Sequence, residues 1–181
     1  MTYRVGIIGS GSITSSHSYG FGRLNKYYDD VKVEKVVMCS PHVTAERAQE
    51  LGWSEVICAG VMGNIMAECG GQTLNIDPSL YDAATGHYYG ICQWSAKYYG
   101  EVHGTSLDFQ LKYLKGTVES EFSTFGYLYG GSGFGYENFK QIKRPEDAAL
   151  AFAECYERCS AKTYYIREEN SLKAYSYFTN Y

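Results

Sequence analysis

Apolar positions change their period along the chain. Arg4-Val5-Gly6-Ile7-Ile8 is a short continuous apolar run, and Val31-Lys32-Val33-Glu34-Lys35-Val36-Val37 alternates before becoming wholly apolar. Both read as strands, the second rich in β-branched residues. A helix over Tyr19–Tyr27 would join them, weakened at Gly20 and Gly22 by about 1 kcal/mol each. Ser40-Pro41 ends the second strand, and Thr44-Ala45-Glu46-Arg47 opens another helix. From Ser54 the spacing turns helical: Val56, Ala59, Gly60, Gly63, Met66 and Ala67 share a face of a helix that runs to Glu68. Cys69-Gly70-Gly71 stops it, and the small residues on that face allow a second helix to approach closely. Ser106 caps a helix with Leu107, Leu111 and Leu114 on one side and Gly116 as its terminator. Pro145-Glu146-Asp147 starts another, running to about Cys159, with proline in the first turn and acids meeting the helix dipole. Ile166–Phe178 gives a last helix, and Gly126–Tyr136 reads as a glycine- and tyrosine-rich loop. The pattern predicts an α+β chain with a boundary near Ala45: a short βαβ fragment over 1–44, then a mainly α domain over 45–181.

Composition narrows the function classes. With 45% apolar and 20% charged residues in 181, the chain can bury a real core and is not a disordered polymer. A net charge of −4 gives no general attraction for nucleic acid or anionic lipid, and Lys143-Arg144 is the densest basic run. No stretch approaches the roughly 18 apolar residues of a membrane span. The opening Met1-Thr2-Tyr3-Arg4-Val5-Gly6 lacks the signature of a secretory signal, so action outside a cytoplasm would need another route. The six cysteines (Cys39, Cys58, Cys69, Cys92, Cys155 and Cys159) form no CxxC pair and no zinc-finger spacing. They read as small core hydrophobes, with a Cys69–Cys92 disulfide left open. The 19 tyrosines are read as packing rather than as sugar-stacking surfaces.

Val5-Gly6-Ile7-Ile8-Gly9-Ser10-Gly11, then Cys39-Ser40-Pro41 and Ala45-Glu46-Arg47-Ala48, resemble the opening of the glucose-fructose oxidoreductase family of NAD(P)-dependent dehydrogenases. The resemblance implies a Rossmann-like βαβ start, with Gly9 and Gly11 where backbone approaches a pyrophosphate at a helix N-terminus. Thr14 stands in place of the third small residue, and Ser40 in place of the carboxylate that binds ribose. The likeness covers residues 1–50 and stops before a third strand. The expectation is a non-functional fragment joined to another family, binding no cofactor.

Three further motifs follow in order: Gly60-Val61-Met62-Gly63-Asn64-Ile65-Met66-Ala67-Glu68, Asn75-Ile76-Asp77-Pro78, and Tyr89-Gly90-Ile91-Cys92-Gln93-Trp94. They closely resemble the phage-tail-type lysozymes, a branch of the lysozyme and lytic transglycosylase superfamily. Ser106 to Leu114 and Pro145 to Arg158 extend the likeness, so it spans 45–181. It implies a lysozyme-like domain that cleaves the glycan strand of bacterial peptidoglycan between amino sugars, carried by a phage virion or released by lysis. Glu68 is implied as catalytic acid, and Asn75, Tyr89, Gly90, Gln93 and Trp94 as sugar contacts, with no cofactor, metal, nucleic acid or membrane span.

The chemistry is coherent without the likeness. A glycosidic oxygen must be protonated as its bond breaks. A glutamate beside Ile65, Met66 and Ala67, at a helix C-terminus, has both desolvation and the dipole favouring its protonated form. Cys69 stands where the family carries serine. Asp77, Asp82 and Glu101 are candidates for a second carboxylate, although lytic transglycosylases need only one. His87 and His103 read as loop residues, and Glu157 with Arg158 as a structural ion pair. The alternatives are an NAD(P)-binding oxidoreductase fragment and a non-catalytic cell-wall-binding or structural module.

Overall fold

The computed structural model describes residues 52–70, 76–82, 84 and 86–179, together with the backbone of 2–8 and 32–39. Strands β1 (Thr2–Ile8) and β2 (Lys32–Cys39) pair in parallel, from Thr2↔Lys32 to Ile8↔Cys39, with a register shift between Val5 and Gly6. The helix anticipated over Tyr19–Tyr27, the one opening at Thr44, and Gly9, Gly11, Thr14 and Ser40 lie outside the described residues.

The remainder is mainly helical. Helix α1 (Glu55–Cys69) starts where the Ser54 hydroxyl accepts the Ile57 N–H at 3.4 Å. Its sequence pattern suggested a single packed face, but every residue from Ile57 to Met66 is buried. A helix apolar all round belongs at the centre of a core, and α1 is that centre. It packs most extensively on α6 (Tyr164–Thr179), then on α5 (Pro145–Phe152). Gly60 and Gly63 permit these approaches. A Cβ at Gly60 would lie 2.5 Å from the Ala148 Cβ of α5, and one at Gly63 would lie 2.5 Å from the Arg167 carbonyl oxygen of α6.

Helix α2 (Leu107–Phe125) begins at the expected cap, Ser106, but Gly116 does not end it. The buried stripe Gln110, Leu114, Val118 and Phe122 continues past the glycine. Its packing outweighs the roughly 1 kcal/mol that glycine costs in a helix. The anticipated Gly126–Tyr136 loop contains a helical turn, α3 (Tyr127–Gly130), and leads into α4 (Tyr136–Lys140). Phe139 of α4 stacks on Phe122 with ring centroids 4.3 Å apart, and the Trp53 indole N–H donates to the Tyr136 hydroxyl at 2.7 Å. Helix α5 stops at Phe152, short of the anticipated Cys159. A π-helical turn, Ala153–Glu157, follows and closes on Arg158 in the left-handed conformation (φ 51°). Such turns insert a residue and re-aim those after it.

Ahead of α2, β3 (Tyr88–Tyr89) and β4 (Trp94–Ser95) form a small antiparallel hairpin. Its turn holds Gly90 at φ 80° and Gln93 at φ 45°. Gln110 of α2 fastens this turn. Its Oε1 accepts the Ile91 N–H at 2.9 Å, while its Nε2 donates to Pro78 O at 2.8 Å and Thr105 O at 3.0 Å. Any side chain at Gly90 would meet that amide at 2.5 Å. Cys58, Cys69, Cys92, Cys155 and Cys159 are free thiols, so the Cys69–Cys92 disulfide is not formed.

Candidate active site

Glu68 sits in the last turn of α1, with its side chain 20% exposed at the end of an otherwise buried helix. Its Oε1 accepts from Nη2 of Arg167 on α6, whose side chain is only 5% exposed. Burial pushes the Glu68 carboxyl above the ordinary carboxylate value, while the Arg167 charge and its hydrogen bond oppose the rise. Glu157, the last residue of the π turn, is raised by burial and by the Glu68 charge, while the Arg167 charge opposes the rise. Its Oε1 is buried, and no described residue hydrogen-bonds it. Burial, with the neighbouring Glu68 charge, holds Glu157 well above its ordinary value. The Cys92 thiol from the hairpin turn reaches Glu157, and burial pushes that thiol well up. The Cys69 thiol is pushed up to about 12, chiefly by burial.

Glu157 and Arg158 do not form the anticipated ion pair. Arg158 binds Glu121 of α2 at 2.6 Å and the Tyr99 hydroxyl at 3.1 Å. The left-handed backbone at Arg158 turns the two neighbouring side chains to different partners. Motif reasoning gave Glu157 only that structural ion pair and did not single out Arg167. A readable signal for Arg167 existed, because the buried stripe of α6 is Arg167, Asn170, Ser171, Ala174 and Phe178. Polar residues at core-facing helical positions call for a partner.

The other anticipated site residues divide. Asp77 is brought to the end of α1, its N–H donating to the Cys69 carbonyl at 3.1 Å. Its carboxylate is exposed and accepts the Ser79 N–H at 2.9 Å and the Ser79 hydroxyl at 2.7 Å. Asp82 accepts the Ala84 N–H at 3.0 Å, and Glu101 accepts the Tyr113 hydroxyl at 2.9 Å. Gln93 is half-buried and its Nε2 donates to the Gly90 and Leu80 carbonyls at 2.9 and 3.2 Å. Tyr89 is half-buried against the His103 ring, 5.3 Å between centroids, and exposed Tyr81 meets His103 edge-on at 6.4 Å. Trp94 packs inward. It is 4% exposed with its indole N–H 3.2 Å from the Tyr156 hydroxyl, so its ring belongs to the core and offers no face to a sugar. Asn75 lies outside the described residues.

A separate open cavity of about 330 Å³ is lined by Leu128, Glu154, Arg158, Cys159 and Tyr164, none of them an anticipated site residue. Among the described residues no cluster of three potential metal ligands occurs, and no helix is long and apolar enough to cross a membrane.

Comparison with protein families matches residues 43–178 to the model of the phage tail lysozyme family. No curated protein matches the chain. Nothing in either comparison supports the oxidoreductase likeness of residues 1–50, and the family match begins only at residue 43.

Proposed function

The chain belongs to the phage tail lysozyme family, a peptidoglycan-lytic family, and on that premise we propose that it cleaves the glycan strand between amino sugars with Glu68 as general acid. It acts at the bacterial cell wall, carried by a phage virion or freed by lysis. The supporting observation is the placement of Glu68: a partly exposed carboxyl in the last turn of a buried helix, raised by desolvation and held by a buried arginine. In the protonated form it donates to the glycosidic oxygen as the bond to the anomeric carbon breaks. The carboxylate left behind is stabilised by Arg167, whose guanidinium already donates to Oε1. Water at the anomeric carbon completes hydrolysis, whereas attack by a sugar hydroxyl gives the anhydro product.

The test is Glu68→Gln, which keeps the shape and an acceptor for Arg167. Turbidity of purified cell walls should then clear about 10²–10⁴-fold more slowly, the usual contribution of a positioned acid. The melting temperature should stay within a few degrees. Wild-type lysis by this variant would reduce the Glu68–Arg167 pair to a structural contact. Mass spectrometry of the wild-type products separates reducing ends from anhydro ends and so fixes the reaction type.

A further inference from the structure

The surface beside the hairpin carries aromatic rings that the core does not absorb. Tyr98 is 68% exposed and Phe109 42% exposed, while Tyr99 and Tyr113 between them are half-buried. Ring centroids are 6.5 Å apart from Tyr98 to Tyr99, 6.4 Å from Tyr99 to Tyr113 and 6.4 Å from Tyr113 to Phe109, so the rings form one continuous strip. Phe109 and Tyr113, one turn apart on α2, lie within 17° of parallel. The strip is held in place by its neighbours. Buried Trp94 meets the Tyr113 ring edge-on at 5.7 Å. The Tyr113 hydroxyl donates to Glu101 at 2.9 Å, and the Tyr99 hydroxyl accepts from Arg158 Nη2 at 3.1 Å and donates to Glu121 at 3.4 Å. Side chains tied down in this way lose little freedom when a ligand arrives.

Arg158 extends the strip. It donates to Tyr99 and also lines the open cavity of about 330 Å³, together with Leu128, Glu154, Cys159 and Tyr164. That volume is at the lower end of the range for small-ligand sites. Charge narrows the choice of occupant. Lys97, 4.9 Å from the centroid of the Tyr98 ring, and Arg158 are matched by Glu101 and Glu121, so the strip offers aromatic faces and fixed polar groups with no net charge. On a chain of net charge −4, such a surface exerts no pull on a polyanion. It suits a neutral polymer whose units have a face of C–H bonds and an edge of hydroxyl and amide groups.

We propose that the strip and the cavity it meets at Arg158 form one binding track for a glycan of N-acetylated amino sugars. Sugar rings lie with their C–H faces against Tyr98, Tyr99, Tyr113 and Phe109. Glu101 and the tyrosine hydroxyls address sugar hydroxyls and acetamido groups at the ring edges. Arg158 has N–H groups left for the same purpose, since Glu121, Tyr99 and the Cys155 carbonyl take only three of its five. The track keeps the polymer on the protein and takes no part in proton transfer. The choice of amino sugars as its units rests on the reading of this chain as a glycan-cleaving enzyme.

The test is a proton NMR titration of the full chain carrying Glu68→Gln with soluble oligomers of N-acetylglucosamine. The ring signals of Tyr98, Tyr99, Tyr113 and Phe109 should shift to saturation, and those of Tyr177, exposed on α6, should stay in place. Unshifted strip rings overturn the proposal. A second measurement uses Tyr98→Ser and Phe109→Ser, both at exposed positions, with folding checked by circular dichroism. Their dissociation constants for purified cell walls stripped of stem peptides should rise about 2–10-fold for each ring removed. In the chain with Glu68 intact, the wall concentration giving half-maximal lysis should rise by the same factor while the rate at saturation holds. Wild-type affinity in both variants overturns the proposal, and so does binding that disappears from walls once their peptides are removed, because the surface then reads peptide. The two readings fail separately. A lytic Glu68→Gln removes the general acid and leaves the track, whereas unshifted strip rings remove the track and leave the acid.

Discussion

Replacing Gly63 with alanine puts a methyl group into the close contact between α1 and α6. The new Cβ would lie 2.5 Å from the Arg167 carbonyl oxygen, 2.8 Å from the Ser171 nitrogen and 2.9 Å from the Ser171 Cβ. Two of these three are backbone atoms, so no change of rotamer relieves the collision. To bring the closest approach from 2.5 Å to an ordinary contact of 3.4 Å, α6 must retreat from α1 by about 0.9 Å. Overpacking of this kind costs about 1–3 kcal/mol and occasionally more. The gain in helix propensity on replacing glycine offsets about 1 kcal/mol of that. A net loss of about 1 kcal/mol follows, rising to about 2 at the upper end of the overpacking cost, or about 2–8 °C in melting temperature for a domain of this size. Gly116→Ala is the matched control, since it lies in α2 with nothing within 4 Å of its added Cβ. That variant should gain up to about 1 kcal/mol. Urea titrations followed by circular dichroism, compared at equal slope, read both changes. A Gly63→Ala protein as stable as the wild type would refute the close-contact account of α1 and α6.

Two other outcomes are expected. Gln110→Leu strands the Ile91 N–H and frees the Pro78 and Thr105 carbonyls. It should destabilise by about 1–3 kcal/mol and speed hydrogen exchange at Ile91 more than at Val61 in α1. Stability should also depend on pH in the direction set by Glu68 and Glu157. Both carboxyls are raised in the folded protein, so the native state binds more protons than the unfolded one above the ordinary carboxylate range. The stability they contribute is present below that range and is lost as pH rises through their raised values. Melting curves from acid to neutral pH should show the decline, and Glu157→Gln should flatten it.

How much was legible depended on what a residue had to satisfy. Local rules sufficed for the helix start at Ser54, for the cap at Ser106 and for the small-residue contacts at Gly60 and Gly63, because these depend on neighbours in sequence or on backbone approach alone. Gly116 misled because a terminator is only a propensity, and Leu114, Val118 and Phe122 bury more on continuing than glycine costs. The π turn at Ala153–Glu157 had no signal, since one inserted residue leaves the apolar pattern almost unchanged, yet it separates Glu157 from Arg158. Trp94 was ambiguous for a related reason. An indole beside a glycine turn suits a sugar or a core equally, and only the Tyr156 hydroxyl at 3.2 Å decides for the core. Arg167 lies 99 positions from Glu68, so no spacing rule connects them, although a buried-face arginine in α6 announced that a partner was needed.

The tight helix contact and the charged cluster are parts of one arrangement. Arg167 meets α1 twice: its carbonyl oxygen lies 2.5 Å from where a Cβ of Gly63 would be, and its guanidinium binds Glu68 further along the same helix. The backbone contact fixes the separation of the two helices, and the side chain converts that separation into the position of a carboxyl oxygen. Replacing Glu68, Arg167 and Glu157 together with apolar residues of similar volume would be neutral or stabilising by ordinary expectation. Their presence is therefore poorly explained by stability alone and well explained by a site that needs a proton held at a defined atom. It follows that Gly63→Ala should not act on stability alone. A retreat of α6 moves the guanidinium away from Glu68, so the lytic rate at a temperature where the variant is fully folded should fall too. Cell-wall turbidity measured well below the melting transition distinguishes this coupling from simple loss of folded protein.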